Sequence, residues 1–281
     1  MNYPKVVGFV PTYNSEKFLE KTLLALAAIE YPNFKIIIGD DCSTDKTVEI
    51  AQAFSSKDSR FEVLTNDKNL GWLKNSEKLW KLSAESSDFC FTNPHDDHPY
   101  PNYISKQIEA LLQNPEAVVC CPQMKNSYWD GKITYSKISN FGHSEKLEER
   151  ISEILQRKTM FWWAAYHGLQ RSSTVKKILP MRETPLVHKE FTKDLIWLMK
   201  MAFYGPFVTI EDCLLEKNYY ENSVSHKWKH SPIKRLGLWA GIFHEITTAD
   251  LPSQTKSTLT KIVFKELIGK GKRRLNFQLN K

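Results

Sequence analysis

The chain has 281 residues, 41% hydrophobic and 25% charged, with 11 Gly, 13 Pro and 5 Cys. This composition excludes a disordered, collagen-like or disulfide-stapled protein, and the length allows one large α/β domain or one domain with an appendage. The formal net charge of +7 is unevenly placed: residues 226–281 hold 12 Lys+Arg against 3 Asp+Glu, so the body is slightly acidic and a body-wide nucleic-acid footprint is excluded.

In chain order, Val6–Val10 is a β-branched apolar run that ends in the turn residues Pro11 to Ser15, so it predicts a strand and then a turn. Phe18, Leu19, Leu23, Leu26 and Ala27 follow at helical spacing, with Asn14 or Ser15 placed to cap them. Phe34–Gly39 predicts a second buried strand ending in Asp40 and Asp41, and a helix restarts at Ser43-Thr44-Asp45 and runs through Phe54. Phe61–Thr65 predicts a third strand and Leu73–Ala84 the next helix. Phe89–Thr92, a helix over Tyr103–Gln113 and a strand over Ala117–Cys121 complete the unit. The later half is less regular. Asn126–Phe141 reads as a polar, turn-rich loop, Glu145–Gln156 as a helix, and Phe161–Gly168 as a dense aromatic segment. Phe191–Phe203 predicts a helix with Asp194 in its first turn, Phe207–Ile210 and Leu214–Tyr220 extended segments, and Ile233–Thr247 and Lys256–Ile268 two terminal helices. The longest clean apolar stretch, Leu23 to Ile29, falls far short of the roughly 20 residues of a membrane span. The N-terminal residues lack the pattern of a signal peptide. Five cysteines without a CxxC pair predict buried, reduced thiols in a cytoplasmic protein.

Four strand–helix repeats whose strands are too apolar to keep a wet face predict an α/β fold, a doubly wound, mostly parallel sheet with helices on both faces, plus a C-terminal helical appendage. In such folds ligands bind beyond the carboxyl ends of the strands. Those ends carry Thr12-Tyr13-Asn14, Asp40-Asp41 and Asp96-Asp97. No P-loop and no GxGxxG follows the first strand, so a bound diphosphate needs a metal ion held by carboxylates, for which Mg²⁺ or Mn²⁺ suits oxygen ligands.

Four segments, Val10 to Asn14 (VPTYN), Gly39 to Asp45 (GDDCSTD), Asn69 to Gly71 with Lys74 and Asn75, and His95-Asp96-Asp97, occur in order at the expected strand ends. Together they resemble the signature of family 2 glycosyltransferases with the GT-A fold. The resemblance covers residues 5–122 and continues more weakly to about residue 226. It implies a donor half over residues 1–122, an acceptor-binding half of the same domain over 123–226, and a basic extension over 227–281. It further implies that Pro11, Thr12 and Tyr13 line a nucleotide pocket, that Asp41 with Asp40 beside it receives hydrogen bonds from a uracil ring, and that Lys74 lies near the donor. Asp96 is placed towards the ribose and Asp97 on the cation, with His95 standing where a strict DxD motif has its first acid. Asp194 matches the acceptor-activating carboxylate, with Asp212 beside Glu211 as the competing base. The implied reaction is inverting transfer of a sugar from a nucleotide-sugar, a UDP-sugar, to a surface-glycan or lipid-linked acceptor, without a covalent enzyme intermediate.

Bland readings stand beside these. Paired aspartates at strand ends are often solvated turns, and Asp194 can be a first-turn carboxylate favoured by the helix dipole. Trp162 and Trp163 stack on a sugar or pack in the core. His167 and Arg171 are acceptor-facing candidates, and His226 is a further metal ligand or an exposed loop histidine. In the basic tail, Leu259, Ile262, Val263, Leu267 and Ile268 form an apolar face with lysines elsewhere. That face suits an anionic membrane surface, with the protein peripheral on the inner side of the cell membrane, or else packs on the domain. Two other functional classes remain: a non-catalytic glycan- or membrane-binding module, and a sugar nucleotidyltransferase. The latter would need a Gly-rich basic loop where this chain has PTYNSEKF.

Overall fold

Apolar runs that alternate with amphipathic segments build the first half as strand–helix units. The computed structural model describes residues 3–139, 141–157, 162–181, 193–221 and 232–279. Strands β1 (Val6–Thr12), β2 (Phe34–Asp40), β3 (Phe61–Thr65) and β4 (Phe89–Thr92) are linked by α1 (Leu19–Ala27), α2 (Thr47–Ser55) and α3 (Trp72–Glu85). β1 lies between β2 and β4, β3 flanks β2, and all four are parallel. Val6, Phe9, Val10, Ile36, Ile38 and Phe91 are buried, as strands covered on both faces require. No side chain caps α1; the Ser15 carbonyl accepts from the backbone of Phe18 and Leu19 instead.

The remaining strands are β5 (His98–Pro99), β6 (Val119–Tyr128), β7 (Ile133–Ser136), β8 (Leu169–Arg171) and β9 (Phe207–Tyr219). The sheet order is β3-β2-β1-β4-β8-β6-β9-β5, with β7 paired to β6. β8 enters antiparallel to both β4 and β6, while β9 runs parallel to β6. The stretch expected as a loop after Asn126 is instead the end of β6 and a hairpin to β7, turned at Gly131 with φ 83°. The two extended segments expected in 207–220 are one strand, with a register irregularity opposite Cys121–Met124.

Helices α4 (Tyr103–Gln113), α5 (Leu147–Gln156), α6 (Ser172–Ile178) and α7 (Lys193–Ala202) complete the body, and a 3-10 turn spans Trp162–His167. Trp80 of α3 stacks on Trp197 of α7 at 4.7 Å. Each indole N–H finds an acceptor, Tyr166 Oη at 3.0 Å and Gln170 Oε1 at 2.8 Å, so this buried aromatic pair ties the early helices to the later ones. All five cysteines are free thiols. No helix among the described residues is long and apolar enough to cross a membrane.

The tail forms α8 (Pro232–Thr248) and α9 (Ser253–Leu279). Leu238, Trp239, Ile242 and Ile246 of α8 and Leu259 and Val263 of α9 join the core. Gln156 donates to Glu266 at 2.8 Å, and the Lys270 ammonium donates to the Leu155 carbonyl at 2.7 Å. The apolar face read from the sequence is therefore mostly covered by the domain: Ile262 and Leu267 are partly buried, and of its five residues only Ile268 is exposed.

Candidate active site

The strand-end residues of β1 and β2 hold one another. Thr12 pairs with Asp40 across the sheet, and its hydroxyl donates to Asp40 Oδ1 at 3.0 Å. The Ser43 backbone N–H donates to Asp40 Oδ2 at 2.8 Å, and the Ser43 hydroxyl donates to Oδ1. Asp40 is buried, as is Asp41 beside it, and these bonds brace the turn. Within that turn Cys42 holds a left-handed conformation, φ 65°. Asp41 Oδ1 accepts from Asn66 Nδ2 at 2.9 Å and Leu70 N at 2.8 Å, and Oδ2 accepts from Gly71 N at 2.8 Å. The Asn69-Leu70-Gly71 turn is thus clamped to Asp41, whose Oδ2 keeps a lone pair for one further donor. Tyr13 is 50% exposed beside it, Pro11 is half-buried, and Lys74 is exposed on the first turn of α3.

The turn after β4 is pinned from the far side of the sheet. Asp97 has no exposed surface. Lys217 Nζ lies 3.0 Å from Asp97 Oδ2, and the Asn218 N–H donates to Oδ1 at 3.1 Å. Asn218 Nδ2 also donates to the Asp96 carbonyl at 2.8 Å. Burial pushes the Asp97 carboxyl up to about 6 against the pull of the ammonium, while Asp97 and Asp96 hold Lys217 above the ordinary lysine value. The ammonium sits over the rings of Trp163 at 5.4 Å and Tyr219 at 5.6 Å, and Tyr219 stacks on Tyr128 at 4.6 Å. Asp96 is half-buried, and among the described residues its carboxylate has no hydrogen-bond or ion-pair partner. The two neighbours thus differ: Asp97 is buried and paired with Lys217, and Asp96 is half-buried with a carboxylate that no described residue contacts.

From this turn a line of contacts leads to Asp194. Trp163 meets His167 edge-on at 6.1 Å, and His167 meets Tyr166 at 5.7 Å. Burial and the Lys217 charge hold the His167 ring neutral, pushed down to about 3, and its Nδ1 is buried with no partner among the described residues. The Asp194 charge, after burial, helps raise the Tyr166 phenol. Asp194 lies in the first turn of α7 and accepts from Leu195 N at 2.9 Å. Burial pushes its carboxyl up to about 6, opposed by the backbone bonds and by Arg157. A carboxylate with that value is mostly ionised at neutral pH yet more basic than an exposed aspartate, as proton abstraction asks.

Several candidates lie elsewhere. Arg171 donates to the carbonyls of Ala117 at 2.6 Å and Leu111 at 2.7 Å, and it pairs in register with Phe89 at the start of β4. β8 runs antiparallel to β4, so Arg171 lies beside the first residue of β4, at the opposite end of that strand from the Asp96-Asp97 turn. Asp212 makes a 3.7 Å pair with Lys106 of α4. Trp162 turns towards Phe141 and Arg157. His226 and Phe161 lie outside the described residues. The sequence reading missed Lys217, Asn218 and Tyr219, which have no local signature because their partner stands 120 residues away.

No group of three or more His, Cys, Asp or Glu among the described residues is arranged to hold a metal. One open hard-oxygen carboxylate, Asp96, does fit a Mg²⁺ or Mn²⁺ ion that takes most of its ligands from substrate phosphates and water.

The fold is shared with solved glycosyltransferases. The crystal structure of S. aureus TarS in complex with UDP-GlcNAc matches with a TM-score of 0.69 at 20% identity, covering 92% of this chain and 71% of that one. A Pyrobaculum calidifontis mannosyltransferase in complex with GDP-Man and Mn2+ matches with a TM-score of 0.58 at 12% identity, covering 94% and 70%. In sequence, an uncharacterized glycosyltransferase of Haemophilus influenzae is 30% identical over 114 residues, 41% of this chain and 45% of that protein. The Staphylococcus aureus poly(ribitol-phosphate) beta-N-acetylglucosaminyltransferase TarS is 34% identical over 90 residues, 28% of this chain and 16% of that protein. These alignments span less than half the length of either relative. The sequence model described as glycosyl transferase family 2 matches residues 9–175, more than half of the chain and all four strand-end segments, and this chain belongs to glycosyl transferase family 2.

Proposed function

We propose that this chain transfers a sugar from a nucleotide-sugar, a UDP-sugar, to a hydroxyl of a surface-glycan acceptor, with inversion and with Asp194 as the base. Residues 1–122 serve the donor, residues 123–226 the acceptor, and residues 227–281 form a basic extension that brings the protein to a lipid-linked acceptor at an anionic membrane surface. Tyr13 and the remaining lone pair of Asp41 bind the base, and Lys74 adds positive charge nearby. Asp194 takes the acceptor proton as that oxygen bonds to the anomeric carbon and the bond to the diphosphate breaks. Asp96 and the donor phosphates would hold Mg²⁺ or Mn²⁺, which stabilises the charge of the departing diphosphate. The cation role that the family resemblance gave to Asp97 passes to its neighbour, because Asp97 is already neutralised by Lys217. The TarS complex with UDP-GlcNAc supports the UDP reading. A nucleotidyltransferase is disfavoured by the family match.

The observation that carries this reading is the division of labour at the β4 turn, one aspartate locked inside and the other open at the same strand-end rim as the Asp41 clamp. The test is the thermal midpoint with UDP, GDP, CMP and ATP, each with and without Mn²⁺. A ligand at 100 times its Kd stabilises the fold by about 2.7 kcal/mol. The expected result is a UDP shift that requires Mn²⁺, is lost in Asp96→Asn and is kept in Asp194→Asn. No shift with any nucleotide overturns the donor site.

A further inference from the structure

Two large apolar side chains stand exposed between lysines on the solvent side of α9, where a helix packed on a domain usually carries polar residues. Phe264 is 51% and Ile268 56% exposed, one turn apart, and Lys261 and Lys265 are exposed beside them. Their faces follow from helical spacing, and the buried Leu259 and Val263 lie on the opposite side. The one acidic residue of α9, Glu266, also points inward, within hydrogen-bond reach of Gln156 and Ser152. The outward face therefore pairs large apolar groups with basic ones and carries no acid.

α8 extends the same surface. Phe243 meets Phe264 at 4.7 Å, and Lys270 lies over Trp239 at 5.6 Å, so the two helices run antiparallel. Leu236, two turns before Phe243 on one side of α8, is 62% exposed. Phe243 is partly buried against the core, while Leu236, Phe264 and Ile268 are exposed, within residues 226–281, which hold 12 basic residues against 3 acidic.

We infer that this face of the α8–α9 hairpin docks on an anionic lipid bilayer, with Phe264 and Ile268 entering the headgroup boundary and Lys261 and Lys265 meeting the lipid phosphates. This deepens the lipid-linked acceptor reading and rests on it for the acceptor it would bring near. Charge complementarity selects the occupant. A second copy of this chain would set the lysines of each face against those of the other. A nucleic acid would meet the lysines but leave the apolar pair without a role. An interfacial helix uses both.

The test is co-sedimentation of the full chain with vesicles of phosphatidylcholine alone and of phosphatidylcholine with phosphatidylglycerol, at low and high salt. Two variants are compared with the parent, Lys261→Gln with Lys265→Gln, and Phe264→Ser with Ile268→Ser. Binding is expected to the anionic vesicles only and to weaken with salt. It should fall roughly thirtyfold when the two lysines are neutralised, at the usual contribution of a juxtamembrane lysine. The apolar double variant should lose at least about tenfold. Absence of binding, equal binding to neutral vesicles, or binding unaffected by either variant overturns the inference. So does lipid-independent self-association that the apolar variant abolishes. The UDP shift is measured on the same samples: vesicle binding lost with that shift intact sinks this inference alone, and the reverse sinks only the donor-site reading.

Discussion

Replacing Lys217 with Met removes the partner of a carboxylate that has no route to solvent. The Asp97 side chain is 0% and the Lys217 side chain 20% exposed, and the pair is 3.0 Å apart. At an effective dielectric near 20 the gross attraction at that distance is about 5 kcal/mol. Breaking one side of a buried pair typically costs about 3–5 kcal/mol, because the remaining charge is left uncompensated. Lys217→Met also forfeits the contacts with the Trp163 and Tyr219 rings, about 0.5–1 kcal/mol each. The single variant should therefore lose about 4 kcal/mol in urea denaturation at neutral pH. In the double variant with Asp97→Asn the buried charge is gone, while an amide oxygen can still accept from Asn218 N. That variant should recover all but about 1–2 kcal/mol of the loss. A single variant within about 1 kcal/mol of the parent, or a double variant no more stable than the single, would refute the argument that this pair holds the turn.

The pH profile of turnover should show an acidic limb near pH 6: Asp194 acts as carboxylate, so the rate rises with pH as the group loses its proton. Asp194→Asn should remove that limb and lower kcat by about 10²–10⁴-fold while leaving the UDP-induced thermal shift in place. Arg171→Met should leave KM for donor and acceptor unchanged. Its cost is stability, about 2–3 kcal/mol by thermal denaturation, from the lost bonds to the Ala117 and Leu111 carbonyls. Gly168→Ala would place a Cβ 1.8 Å from the Cys120 carbonyl oxygen, so β8 must shift. A loss of about 3 kcal/mol or more is expected, seen as a lower midpoint and poor soluble yield.

The parallel half was readable because its signals are local. Phe61–Thr65 and Phe89–Thr92 are bounded by turn residues and come out as the strands themselves. The Asp-bearing turns are legible for the same reason, since a strand end and its next helix start are written in adjacent residues. β8 could not be read: Leu169-Gln170-Arg171 has no strand alternation to recognise, and its conformation follows from the slot between β4 and β6. That slot also moved Arg171 away from the site. Lys217 looks like any charged residue in an alternating stretch, and only the pairing of β9 with β6 and β5 brings it to Asp97. The tail was half legible. Its apolar stripe was real, but a stripe does not say whether the domain covers it, and Phe264 on the other face drew no notice because it breaks the pattern.

The 120-residue separation between Asp97 and its ammonium partner also bears on biosynthesis. At about 5–20 residues per second, a ribosome takes roughly 6 to 24 seconds to deliver Lys217 after Asp97 has emerged. During that interval β1–β4 can already pair, but the edge of β4 stays bare until β8 arrives, and the Asp97 turn must remain hydrated. The nascent chain therefore carries an open sheet edge beside an unneutralised carboxylate, which is the form a holdase chaperone would meet.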